Sequence, residues 1–179
     1  IQKYTNAMET GNIKNILTNT HITVCTTSNL KRILKPNQIP DNTIIIDDSR
    51  PEAISRELWH NRGVVVIEGG LMKIKGLEQY YDFGFGIDEN VFGCLAEVFL
   101  MAADHSKKLR PTLGDVDFNN FKKMLSVCDD LNVEVGDFKC MNEIIPTENI
   151  VSILKSKRNL ASTIPFKNIC WILKISDLA

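Results

Sequence analysis

Three short runs of apolar and β-branched residues organise the first half of the chain. Ile22-Thr23-Val24-Cys25-Thr26-Thr27 is β-rich and ends in Ser28-Asn29. Thr43-Ile44-Ile45-Ile46-Asp47 and Val64-Val65-Val66-Ile67-Glu68 are apolar at almost every position. A strand open to water on one face alternates apolar with polar side chains. An unbroken apolar run of this length instead predicts a strand covered on both faces, as in a parallel sheet. Each run stops on turn-forming residues: Asp47-Asp48-Ser49-Arg50-Pro51 after the second, Gly69-Gly70 after the third. Between them, Leu30 to Leu34 predicts one helical turn halted by Pro36. Asp41-Asn42 and Asn61-Arg62-Gly63 predict turns, and residues 52–60 a short helix.

Beyond residue 88 the period lengthens to that of helices. Val91, Leu95, Val98 and Ala102 fall on one stripe, widened by Phe92 and Phe99. Asp88 reads as the N-cap, with Glu89 in the first turn and the His105–Lys108 stretch fraying before Pro111. A second helix is expected from about Phe118 to Leu131, capped by Asp115 or Asp117. Phe118, Phe121, Leu125 and Cys128 would share one face, with Met124 and Leu131 beside them, so Cys128 reads as core. Ser152 to Arg158 has helical character. Lys167 to Ile175 fits a strand or a buried helix turn, and Cys140 has no distinguishing context.

Strands joined by short crossovers predict an α/β fold: the C-terminal half of a doubly wound Rossmann-type parallel sheet followed by helices. Residues 1–88 would form that half-sheet, 89–150 a helical segment, and 151–179 an extension of uncertain role. In such sheets ligands lie beyond the carboxyl ends of the strands. Thr26, Thr27 and Ser28, Asp47 and Asp48, and Gly69 and Gly70 fall there. Polar residues and glycine also end strands that bind nothing, and the pattern balances the two readings. The chain has no G-x-G-x-x-G phosphate loop. Gly84-Phe85-Gly86 does not replace it, since no strand is expected to lead in and no third glycine follows.

Composition narrows the partners. The 179 residues carry 21 basic and 22 acidic side chains, a net charge of -1, and so lack the basic footprint of a nucleic-acid binder. No apolar run approaches the ~20 residues of a membrane span, and no secretory leader opens the sequence. The chain starts at Ile1 within an expected helix, the tail of a crossover, which reads as a fragment. Cys25, Cys94, Cys128, Cys140 and Cys170 are odd in number and show no C-x-x-C spacing. The histidines His21, His60 and His105 are scattered. No metal site or disulfide framework is expected, and a reducing cytoplasmic compartment fits best.

Cys94 is the residue with the most chemistry in its surroundings. It lies early in the apolar helix, beside Gly93. A thiolate, rather than a thiol, is the nucleophile, and a helix N-terminus favours it. With Asp88 as cap, Cys94 would sit in the second turn, where that effect has faded, and Glu97 one turn on would oppose the negative charge. Gly93 costs the helix about 1 kcal/mol relative to alanine, which calls for close packing or substrate access. The residues leave a nucleophilic cysteine and a packing cysteine both open.

The succession of Ile22–Asn29, Ile44-Ile45-Ile46-Asp47-Asp48-Ser49-Arg50-Pro51, Val66-Ile67-Glu68-Gly69-Gly70 and Phe92-Gly93-Cys94-Leu95-Ala96-Glu97 resembles the long-chain acyl-[acyl-carrier-protein] reductases. These are aldehyde-forming members of the shikimate dehydrogenase-like NADP-binding group. The resemblance covers residues 1 to about 150 and is sharpest at Phe92–Glu97. It implies an NADPH-dependent enzyme in which Cys94 takes a fatty acyl group from acyl-carrier protein or acyl-CoA. The nicotinamide would lie near Thr26, Thr27, Ser28, Gly69 and Gly70, and no metal would be needed. The family's acyl- and carrier-binding region and its glycine-rich pyrophosphate loop have no counterpart in these 179 residues. Two other readings stand beside this one. The first is a related NAD(P)-dependent oxidoreductase in which hydride passes directly to a small carbonyl substrate. The second is a non-catalytic, degenerate Rossmann module.

Overall fold

A computed structural model describes residues 22–55, 63–106, 108–115 and 117–158, together with Ile13, Leu17 and Thr20. They divide into two compact units. The first holds the described residues up to Gly69 and those from Ile145 onward; the second runs from Gly70 to Ile144. The division falls at Gly69–Gly70 rather than near residue 88, because the chain beyond Gly70 builds a second sheet.

In the first unit, β1 (Ile22–Cys25), β2 (Ile44–Asp47) and β3 (Val65–Glu68) form a parallel sheet in the order β1-β2-β3. Ile22 pairs with Ile44 and Ile44 with Val65, so the apolar runs lie in register. Ile44, Ile45, Val65, Val66 and Ile67 are buried, as expected of strands covered on both faces. Each such side chain contributes about 1.5–3 kcal/mol of burial free energy. In β1, by contrast, Val24 is exposed.

The first crossover departs from expectation. Leu30 to Leu34 forms no helical turn, and a short 3-10 turn starts at Pro36 instead (Pro36–Gln38). Proline tolerates the first position of a helix because its missing N–H would have had no partner there. The Lys35 amide is taken by Gln38 Oε1 at 3.0 Å, and the Leu34 amide donates to the Ala53 carbonyl at 3.0 Å. The chain is therefore fastened in extended form to the second crossover. Residues 52–55 are not helical, and the rest of the expected 52–60 helix lies outside the described residues. A helix, here α3 (Thr147–Arg158), begins earlier than expected and follows the buried Ile145. The 167–175 segment, Cys170, His21 and His60 lie outside the described residues.

In the second unit, β4 (Leu71–Ile74) pairs antiparallel with β5 (Asn90–Phe92) and β6 (Val133–Val135). Against this sheet lie α1 (Gly93–Ala103) and α2 (Phe118–Asp130). Ile74, Val91, Ala96, Leu100, Leu109, Cys128 and Val133 form the core. A two-stranded hairpin follows, β7 (Lys139–Cys140) with β8 (Glu143–Ile144). Asp117 caps α2 by accepting from the Asn119 and Asn120 amides. Cys128 is buried as expected, and burial pushes its thiol pKa up.

Two helical expectations need correction. Val91 and Phe92 belong to β5, not to the helix, since Met72 and Leu71 pair with them across the sheet. Asp88 caps no helix: its carboxylate accepts from the Asn90 amide and from Lys139. The exposed and buried faces of α1 also differ from the expected stripe. Ala96 and Leu100 are buried, whereas Leu95 and Val98 are exposed. On α2, Phe118, Phe121 and Leu125 are likewise exposed, while Asn120 turns inward. Asn120 clasps the preceding loop like a strand neighbour. Its Oδ1 accepts from the Arg110 amide at 2.9 Å and its Nδ2 donates to the Arg110 carbonyl at 2.7 Å. Among the described residues, no helix is long and apolar enough to cross a membrane.

Candidate functional site

The site is built where β5 passes into α1. Phe92 is the last strand residue and also the N-cap, with extended backbone angles. The Gly93 amide donates to the Gly70 carbonyl at 2.6 Å. A Cβ on Gly93 would stand 3.2 Å from that same oxygen, closer than most side chains tolerate. Close backbone packing therefore accounts for the glycine that helix propensity disfavours. Gly70, at φ +70, makes the turn that brings its carbonyl there.

Cys94 is consequently the second residue of α1, a full turn earlier in the helix than a cap at Asp88 implies. No side chain caps this helix, and its first turn contains no acidic residue. The first amides of a helix have no carbonyl partner within it and present partial positive charge. The thiol is exposed, which removes the packing role, while Cys25, Cys128 and Cys140 are buried. Glu97 is engaged elsewhere: its Oε1 accepts from the Thr112 amide at 2.6 Å, which ties down the loop after α1. The same loop begins at Asp104. The Ser106 hydroxyl and the amides of Leu109, Lys108 and Ser106 hold the Asp104 carboxyl down at a pKa of about 2.

An aromatic cluster adjoins the start of the helix. Phe92 meets Phe85 edge-on at 5.0 Å and Phe83 at 5.8 Å, and Phe83 meets Tyr81 at 4.9 Å. Behind it runs a polar chain that sequence reasoning missed. The Lys139 ammonium, 3% exposed, donates to the Phe85 carbonyl and, at 2.5 Å, to Asp88 Oδ2. Asn90 donates through Nδ2 to Asp88 Oδ1 at 2.9 Å and to Asp137 Oδ2 at 3.0 Å, and accepts from the Asp137 amide. Asp137 in turn pairs with Lys73 at 3.2 Å, an interaction that raises the lysine's pKa. Burial alone would raise the Asp88 carboxyl; the hydrogen bonds from Lys139 and Asn90 outweigh it and leave the pKa lowered. These partners lie some fifty residues apart in sequence, as in Asp88 and Lys139. Local pattern carries no signal of them.

The other candidate residues lie in the first unit, at the ends of its strands. Asp47 is fully buried; its Oδ1 accepts from the Ser49 amide at 3.0 Å and its Oδ2 from the Ala53 amide at 2.9 Å. Buried Ser49 accepts the Thr27 amide at 3.1 Å, and the Thr27 carbonyl accepts the Arg50 amide. The Gly69 amide donates to the Asp47 carbonyl at 2.9 Å. A Cβ on Gly69 would fall 2.6 Å from the Cβ of Asp48. Thr27 and Gly69 are thus committed to holding neighbouring strand ends together. Thr26 and Ser28 are exposed. Among the described residues, no group of three or more histidine, cysteine or acidic side chains is placed to hold a metal ion. No protein-family model and no curated protein matches this chain.

Proposed function

We propose that the chain belongs to an NADPH-dependent reductase that converts long-chain acyl-[acyl-carrier protein] to fatty aldehyde, with Cys94 as the acyl acceptor. The observation that carries this reading is an exposed thiol in the first turn of α1, which no side chain caps. The parallel order β1-β2-β3, sequential along the chain, supports a half of a doubly wound sheet.

In this reading the Cys94 thiolate attacks the carbonyl carbon of the acyl thioester. A new carbon–sulfur bond forms to Sγ as the bond to the carrier's sulfur breaks, and the carrier thiolate leaves and takes up a proton. NADPH, when bound, supplies the hydride that reduces the enzyme thioester to the aldehyde. Cys94 then departs as a thiolate, since sulfur is a good leaving group as well as a strong nucleophile. Thr26 and Ser28, exposed beyond β1, are the hydroxyl-bearing residues that fit the nicotinamide end of the cofactor. Thr27 and Gly69 fit it less well, being engaged by Ser49 and Asp48.

Intact-mass spectrometry tests the reading. The protein, mixed with palmitoyl-[acyl-carrier protein] without NADPH, is expected to gain one acyl group on Cys94 and to lose it when NADPH is added. The Cys94→Ser variant should gain none. Absence of an adduct on folded protein would reject Cys94 as the nucleophile. The reading left in its place would be a related NAD(P)-dependent oxidoreductase in which hydride passes directly to a small carbonyl substrate.

A further inference from the structure

The loop between β4 and β5 exposes aromatic residues that the core does not need. Tyr80 is 90% exposed and Tyr81 67%, with Phe83 beside Tyr81. Exposed aromatic rings normally collapse onto a surface to escape water. Here the loop is held too firmly to let them. Phe85 anchors it in the interior, and Lys139 grips the Phe85 carbonyl. Gln79 donates to the Asp88 and Asn90 carbonyls, and the Asp82 carboxylate accepts from the Gly84 and Gly86 amides at 2.7 and 3.0 Å. Rings presented on a preorganised loop lose little freedom on binding a partner.

Charge decides what that partner is. From Gly76 to Asn90 the chain carries Glu78, Asp82, Asp88 and Glu89 and no lysine or arginine. The lysines around the loop are already engaged: Lys73 with Asp137, Lys75 with Glu134, Lys139 with Asp88. Among the described residues, no cation pairs with Glu78 or Asp82. Tyr80 donates its hydroxyl to Glu78 at 3.3 Å, so a carboxylate and an aromatic ring lie side by side. Such a pair suits a guanidinium or ammonium group, which stacks on the ring while the carboxylate neutralises it.

We propose that the Glu78–Ile87 loop is a docking surface for a basic segment of a partner protein, whose arginine or lysine side chains seat against Tyr80 and Tyr81 with Glu78 and Asp82 as counter-ions.

The test is an amide NMR titration with acetylated, amidated hexa-arginine at physiological salt. Shifts confined to residues 77–89 are expected. The double variant Tyr80→Ser, Tyr81→Ser should weaken binding by about fivefold to tenfold. Glu78→Gln should weaken it by about threefold. Phe118→Ser, which removes an exposed ring on α2, should leave affinity unchanged. Both tyrosines are exposed, so the variant's remaining spectrum reports that the fold is kept. Affinity unchanged by the tyrosine substitutions would overturn the proposal. So would shifts scattered over other acidic positions such as Asp129 and Asp130. Loop shifts that follow protein concentration alone would assign the surface to a second copy, and shifts with dodecylphosphocholine micelles but not peptide would assign it to lipid. Either result rejects a basic partner.

Discussion

The strand ends of the first unit and the helix start of the second deal with polar groups in opposite ways. Around Asp47 the carboxylate, hydroxyl and amides are consumed by one another, and glycine is present because a neighbouring backbone fills its space. At α1 no side chain caps the amides, the Gly93 amide alone being taken by a backbone carbonyl, the thiol faces solvent, and the Glu97 carboxylate is drawn away to Thr112. Both regions carry residues of the kind that line active sites. The first leaves Thr26 and Ser28 exposed beside a satisfied network, and the second leaves its thiol exposed. A polar residue at a strand end is evidence of function after its hydrogen bonds have been counted, not before.

The most severe way to break the contrast is Asp47→Ala. It strips the acceptors from two buried amides, each costing about 1–3 kcal/mol when left unpaired. Urea denaturation should show a loss of about 3 kcal/mol, and a loss under 1 kcal/mol would mean that the strand end is not self-satisfied. Gly69→Ala comes next. Its new methyl meets Asp48 backbone and side chain below 3.0 Å, and overpacking of that kind costs about 1–3 kcal/mol. A variant as stable as wild type, yet impaired in NADPH binding, would instead make Gly69 a cofactor residue.

Asp104 sharpens the comparison by pH. Its folded pKa of about 2 lies below the ordinary 3.8, so the folded state binds fewer protons in this range. Its contribution is complete above pH 3.8 and is lost as pH falls through about 2. A carboxyl-carbon NMR titration should place its midpoint near 2, and Asp104→Asn should flatten the acid limb of the stability profile. Smallest of all is Cys94→Ser, expected to alter stability by less than about 0.5 kcal/mol because the site is exposed. In unmodified protein, iodoacetamide should label Cys94 at once and Cys25, Cys128 and Cys140 only on unfolding. Equal labelling of all four would erase the distinction between the two regions.

Sequence pattern disclosed the parts of this fold whose partners do not matter. Ile44–Ile46 and Val65–Ile67 read as doubly covered strands because apolar runs must be buried whatever lies against them. β5 and β6 were illegible, being three residues each and defined only by pairing to β4. Asp88 has the chemistry of a helix cap, and Asn90 together with Lys139, far along the chain, diverts it. The outward face of α1 misled because that helix is apolar on nearly every side, so periodicity could not tell Leu95 and Val98 from Ala96 and Leu100. Cys94 stood out through its neighbours in sequence. Its place in the first turn depended on a carbonyl at Gly70 that no spacing reveals.

The joint between β5 and α1 has no linker: Phe92 ends one element and Gly93 begins the other. That leaves the segment without slack for insertions. One extra residue between Asn90 and Gly93 would invert the strand's two faces or rotate the helix start by about 100°, carrying the sulfur to another side of the helix. The described positions between Ala103 and Phe118, by contrast, belong to no helix or strand, and added length there would be absorbed. Directed-evolution libraries on this scaffold should therefore vary length after the helix and hold it fixed before.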